Sequence, residues 1–149
     1  MKDEKHPLIS IIILNCNGLE YLRKTIPPIL DLCYPCYEII IVDNGSTDGS
    51  IEYLKNKKKI KLVENGKNVG YSKGKNQGAQ KSKGEYLLIL DNDILIPEKN
   101  ILFYLVKHYC VDAGFMQVLF RDVDKEITSS YGIFYSFYGT NLAKKAYNY

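Results

Sequence analysis

The chain is predicted to fold as an α/β protein, with a doubly wound, mostly parallel sheet carrying helices on both faces, and three observations predict it. Strand-length aliphatic runs (8–14, 37–43 and 85–91) alternate with segments whose apolar residues recur at helical spacing. The runs are nearly unbroken, the pattern of strands covered on both faces. Polar turns follow them, as "NCNG", "DNGSTD" and "DND". In such folds ligands bind beyond the carboxyl ends of the strands, so chemistry is expected along that one edge.

Each element has its own signal. "LISIIIL" (8–14) reads as a central parallel strand. After "NCNG", apolar residues recur at Leu19, Leu22, Ile26, Ile29, Leu30 and Cys33, a helical stripe that Pro27 and Pro28 are expected to kink or break by removing amide donors. "YEIIIVD" (37–43) is a second strand ending in Asp43. In the following turn Asp48 is placed to cap a helix carrying Ile51 and Leu54. "IKLVE" (60–64) is a short strand, and 71–81 a helix in which Gly70, Gly74 and Gly78 recur every four residues. Interior glycine costs about 1 kcal/mol relative to alanine, so a close approach to the sheet or to a ligand is expected to compensate.

"EYLLILD" (85–91) is the next buried strand. Pro97 is expected in the first turn of another helix, with Ile101, Leu102, Leu105 and Val106 on one face. "AGFMQVLF" is a further strand, and the alternating, aromatic "ITSSYGIFYSFYG" fits a strand or hairpin. If that segment lacks a covering layer, it exposes apolar surface and favours a homo-oligomer.

Composition bounds the rest. At 149 residues, 46% hydrophobic and 25% charged, the chain is expected to form a single domain, 1–149, with a sizeable core. Twenty basic residues against seventeen acidic ones leave a formal charge of +3. The clustered lysines (Lys55, Lys57, Lys58, Lys59, Lys61) have no aromatic interleaving, which favours a solvated helix end over a nucleic-acid face. No apolar run approaches the ~20 residues of a membrane span, and "MKDEKHP" lacks a signal-peptide core. The expected location is cytoplasmic, with the inner face of the membrane as a variant. Cys33 and Cys36 form a lone C-x-x-C that is short of zinc ligands, so these, Cys16 and Cys110 are read as reduced thiols.

The strand-end residues carry the chemistry. Asp91 and Asp93, one residue apart, can contribute to a site for a hard divalent cation that takes its other oxygens from water and substrate phosphates. Asp43 and Asn44 offer acceptors and an amide to a base or ribose edge. The glycine-spaced helix can bring its N-terminal amides, with Lys73 or Lys75, toward an anion. For an isolated D-x-D a turn or cap is the better reading; the combination shifts it toward a site.

"ISIIILNCNG", "YPCYEIIIVDNGSTDGS" and "NVGYSKGKNQGAQKSKGEYLLILDNDILIP" together resemble the nucleotide-sugar half of family 2 glycosyltransferases with the GT-A (Rossmann-like) fold, especially the rhamnosyltransferase-like branch. The resemblance covers about residues 10–97, with the three motifs in order. It implies that Asp91 and Asp93 hold Mn2+ or Mg2+ and that Asp91 and Asn92 meet the donor's ribose or diphosphate. Asp43 and Asn44 would contact the base, Leu14, Asn15, Cys16 and Asn17 would line the nucleotide pocket, and Asn68, Lys75 and Asn76 would approach the nucleotide. The implied reaction is metal-dependent inverting transfer from a nucleoside-diphosphate sugar, with UDP or dTDP favoured, to a hydroxyl of a glycan or lipid-linked acceptor.

Two positions depart from the family pattern. Cys16 stands where an aromatic residue is common, and Lys75, a point charge rather than a fork, stands where arginine is common. Family members also continue into an acceptor-binding half, which in this chain is expected to be missing. Its later acids, Asp122, Asp124 and Glu126, fall in an expected hairpin turn, and no general base is assigned. The alternatives are a non-catalytic nucleotide-sugar-binding fragment and a haloacid-dehalogenase-type phosphatase, whose nucleophile strand "LILDND" resembles. "GYSKGKN" departs from a P-loop in glycine spacing and in Asn76, and no G-x-G-x-x-G follows the first strand.

Overall fold

Strand β1 (Ile9–Asn15) occupies the middle of the sheet because every one of its aliphatic residues from Ile9 to Ile13 is out of solvent. The computed structural model describes residues 6–108 and the backbone of strands β5 (Phe115–Arg121) and β6 (Ile127–Ser136). Parallel to β1 on either side run β2 (Tyr37–Asp43) and β4 (Tyr86–Asp91), and β3 (Ile60–Glu64) pairs with β2. The order is β3-β2-β1-β4-β6-β5, four parallel strands followed by an antiparallel pair. That is the mostly parallel α/β sheet the sequence predicts.

Alternation divides the core between two faces. Ile9, Ile11 and Ile13 point toward helix α1 (Leu19–Leu30), meeting Leu22, Ile26 and Ile29, and helix α4 (Ile101–His108) adds Leu102 and Leu105 to that cluster. On the opposite face Ile12, Ile40, Leu87 and Ile89 gather with Val63 and Ala79, the last from helix α3 (Tyr71–Lys81). A Cβ on Gly78 would lie 2.5 Å from Ile12 Cγ2, and one on Gly74 would lie 2.4 Å from Leu14 Cδ1. Gly74 and Gly78 therefore let α3 lie directly on β1 and β2, the close approach expected from sequence, whereas Gly70 caps the helix at a φ of +92° with no atom of the described residues in the way of a Cβ.

Two local expectations need correction. Helix α1 runs through Pro27 and Pro28 and stops at Leu30, leaving Cys33 outside it and exposed. The missing amide donors face the carbonyls of Arg23 and Lys24, both exposed residues at which water can substitute. The expected cap is present: the Asp48 side chain accepts from the Ser50 amide at the start of helix α2 (Ser50–Lys55), while Gly49, with a left-handed φ of +89°, occupies the cap position itself. Pro97 precedes α4 by four residues and is not in its first turn. Ile94 and Ile96 are buried while Leu95 is 52% exposed, so this stretch alternates in extended conformation before the turn at Lys99 and Asn100. Cys16, Cys33 and Cys36 carry free thiols. Cys110, Asp122, Asp124 and Glu126 lie outside the described residues.

Candidate functional site

The parallel register brings the polar strand ends level. Asn15 stands opposite Asp43, Asp43 opposite Glu64, and Leu14 opposite Asp91. Chain connections leave β1 toward β2 on one side and return to β4 on the other, so the crevice at a topological switch point opens above β1. The loop after β1, the turn after β2, the N-terminus of α3 and the D-x-D turn after β4 all meet there.

The floor is a closed polar network. Asn15 Nδ2 donates to Asp43 Oδ2 at 3.0 Å and to Ser46 Oγ at 3.1 Å, while Asn15 Oδ1 accepts from Asn92 Nδ2 at 2.7 Å. Asp43 also accepts from the Ser46 amide at 2.8 Å and from its hydroxyl at 2.6 Å. Asp43 is fully buried, so neither of its oxygens faces an open edge in this conformation. Asn44, 2% exposed, donates to Asn68 Oδ1 and the Gly70 carbonyl and accepts from Asn65 Nδ2 at 2.8 Å. The two residues expected to meet a base thus tie the β2 turn to β1 and to the start of α3.

The D-x-D turn is locked from beneath. Thr25 of α1 donates to the Asn92 carbonyl at 2.7 Å, and a Cβ on Gly18 would come within 2.0 Å of Asn92 Nδ2. Asp91 is held from above: Lys75 Nζ lies 2.9 Å from its Oδ1, and the Tyr71 hydroxyl is 3.1 Å from the same oxygen. Asp93 is exposed and has no hydrogen-bond or ion-pair partner among the described residues. This donor set suits a hard cation that retains waters, since one free carboxylate stands beside a second that is engaged by an exchangeable lysine. No group of three or more His, Cys, Asp and Glu side chains positioned to hold a metal occurs among the described residues. Most ligands of a cation here would therefore come from solvent and substrate.

Around the rim, Cys16 is exposed, with its thiol 3.5 Å from the Asn44 carbonyl and 3.8 Å from Asn68 Nδ2. Asn17 adopts a left-handed φ of +51°, and its side chain accepts from the Thr47 amide at 2.8 Å. Leu14 packs under Gly74. Asn68 caps the turn into α3 by accepting from the Gly70 amide at 2.9 Å, and Asn76 is half-buried one residue beyond Lys75. Lys73 is exposed on the same helix.

Below the rim, Asp48 joins two helix starts, accepting from the Leu19 amide at 2.8 Å and the Ser50 amide at 3.0 Å. Burial alone would raise its pKa, but hydrogen bonds from the Ser50 hydroxyl and those two amides outweigh it and hold the carboxyl below its ordinary value.

Sequence reasoning missed Ser46, Thr25, Gly18 and Tyr71. Ser46 follows Asp43 by three residues in a turn, a spacing at which a hydroxyl and an amide return to the carboxylate. Tyr71 precedes Lys75 by one helical turn, which places both on one face. Thr25 and Gly18 act across 67 and 74 residues of chain, and no local signal marks them.

The profile described as Glycosyl transferase family 2 matches residues 10–145. An uncharacterized glycosyltransferase of Haemophilus influenzae is 37% identical over 116 residues, covering 72% of this chain and 46% of its own length. Among solved structures, the mannosyltransferase PcManGT from Pyrobaculum calidifontis, in complex with GDP-Man and Mn2+, matches with a TM-score of 0.73 at 24% identity, over 79% of this chain and 37% of that one. TarS 1–349 of S. aureus, in complex with UDP-GlcNAc, matches with a TM-score of 0.60 at 25% identity, over 67% of this chain and 30% of that one. The chain spans less than half the length of each of these proteins.

Proposed function

The chain belongs to glycosyl transferase family 2, and from that premise we propose that it forms the donor-binding part of an enzyme transferring a sugar from a nucleoside-diphosphate sugar to an acceptor hydroxyl. The observation that carries the proposal is the exposed carboxylate of Asp93, without a partner among the described residues, in the same turn as the Lys75–Asp91 pair at the mouth of the switch-point crevice. Asp91 and Asp93 would hold Mn2+ or Mg2+ in this reading. Such an ion would supply positive charge for the departing diphosphate. The Mn2+ and GDP-Man of the PcManGT complex, and the UDP-GlcNAc of the TarS complex, support a metal and a nucleotide-sugar donor as the ligand classes.

The chain's own groups would share the work. Lys75 would meet a diphosphate oxygen by swinging from Asp91, and its flexible stem suits that movement. The exposed side chains of Cys16, Asn17 and Asn68 would border the base and ribose, with uracil and thymine the favoured bases. Asn44 and Asp43 would act beneath them by fixing the loops. In the inverting reaction proposed, the acceptor oxygen forms a bond to the anomeric carbon, and the bond from that carbon to the diphosphate breaks. The leaving oxygen keeps the electron pair, and the hydroxyl proton passes to a base in the acceptor-binding part.

Calorimetry of the folded chain with UDP, dTDP and GDP, with and without Mn2+, tests the donor site. Metal-dependent binding of one nucleotide, weakened more than about tenfold in Asp93→Ala, is the expected result. Absence of binding by any of the three would reject it.

A further inference from the structure

Lys75 is held by both Asp91 and Tyr71. Its ammonium lies 2.9 Å from Asp91 Oδ1 and 3.8 Å from the centroid of the Tyr71 ring, and it is hydrogen-bonded to the Tyr71 hydroxyl as well. That hydroxyl sits 3.1 and 3.4 Å from the two Asp91 oxygens. The lysine side chain is only 11% exposed, although Tyr71 itself is 57% exposed. A ring over an ammonium and a hydroxyl shared with its carboxylate both favour this one placement of the charge.

We propose that Lys75, positioned by Tyr71, is a placeholder cation that makes metal binding at Asp91 and Asp93 conditional on the nucleoside diphosphate. The inference rests on the donor-site reading above and extends it. A divalent cation approaching Asp91 meets an ammonium already on that carboxylate, and like charges at such range repel strongly where solvent is partly excluded. A diphosphate removes the conflict, because its oxygens give the ammonium a new partner and give the cation further ligands. Lys75 thus opposes the metal in the empty site and assists the nucleotide in the filled one. By linkage, metal and nucleotide must each tighten the other, and removing the ammonium must affect the two ligands with opposite signs. Tyr71 is a positioning residue, since it holds both Lys75 and the Asp91 carboxylate that Lys75 occupies.

The test is Mn2+ affinity, read from the EPR signal of the free ion. It is measured on the chain alone and with whichever of UDP, dTDP and GDP binds, in wild type, Lys75→Met and Tyr71→Phe. Far-UV circular dichroism checks each fold. Wild type is expected to bind Mn2+ weakly alone and at least about fivefold more tightly with nucleotide. Lys75→Met is expected to bind Mn2+ alone about fivefold more tightly than wild type, to bind nucleotide more weakly and to keep only the part of the coupling that comes from phosphate ligands to the cation. Tyr71→Phe should move Mn2+ affinity in the same direction by a smaller factor, and it carries the test alone if Lys75→Met does not fold. Unchanged or weaker Mn2+ binding by the folded variants, with metal-dependent nucleotide binding intact in wild type, overturns the placeholder and leaves the donor site standing. A folded wild type that binds no nucleotide overturns both.

Discussion

Asp43 is a motif residue whose carboxylate is fully engaged by its own neighbours. Its two oxygens receive hydrogen bonds from the buried Asn15 Nδ2 and from the amide and hydroxyl of the half-buried Ser46. Asp43→Ala strands those donors, and a stranded buried polar group costs about 1–3 kcal/mol. The variant is expected to lose about 3 kcal/mol or more in urea unfolding. Because Asn15 also holds Asn92, its nucleotide affinity should fall together with its stability. Asp48 makes a pH-dependent contribution of known sign. Its carboxyl is held below the ordinary value of 3.8, so its stabilisation is complete above that pH and is lost as pH falls through the lowered folded-state value. Compared with Asp48→Asn, the wild type should have a higher urea midpoint at neutral pH, and the difference should shrink as the solution is taken below about pH 4.

Among the elements, helix α3 is the one whose sequence conflicts with helix propensity and whose packing explains the conflict. Gly78→Ala would improve the isolated helix by about 0.5–1 kcal/mol. The new methyl would meet Ile12 Cγ2 at 2.5 Å and Val42 Cγ2 at 3.2 Å, and overpacking of that kind costs about 1–3 kcal/mol. A net loss of about 1 kcal/mol in urea unfolding is expected, opposite to what propensity alone predicts. The strands were legible because aliphatic runs with both faces buried have few other uses, as in 8–14 and 37–43. Helix limits were harder to read. Pro27 and Pro28 are tolerated because the carbonyls they leave unpaired belong to exposed residues, and Pro97 lies in an extended stretch fixed by the burial of Ile94 and Ile96.

At the scale of the whole molecule, alternation of strands and helices determined the layered sheet, and the polar ends of three strands determined which edge carries the site. Three ordered motifs determined the family. The sequence also showed that Asp91 and Asp93 share one turn, because that is a matter of spacing. Only the tertiary structure decided that Asp91 is engaged by Lys75 and Tyr71 while Asp93 has no partner among the described residues, and that Asp43 and Asn44 form the floor beneath the rim. The physical reason is range. Periodicity and turn chemistry act over a few residues and can be read along the chain. The partner of a buried polar group is chosen by register, as Asn15 meets Asp43 and Leu14 meets Asp91 across the sheet, and register exists only once the strands have packed.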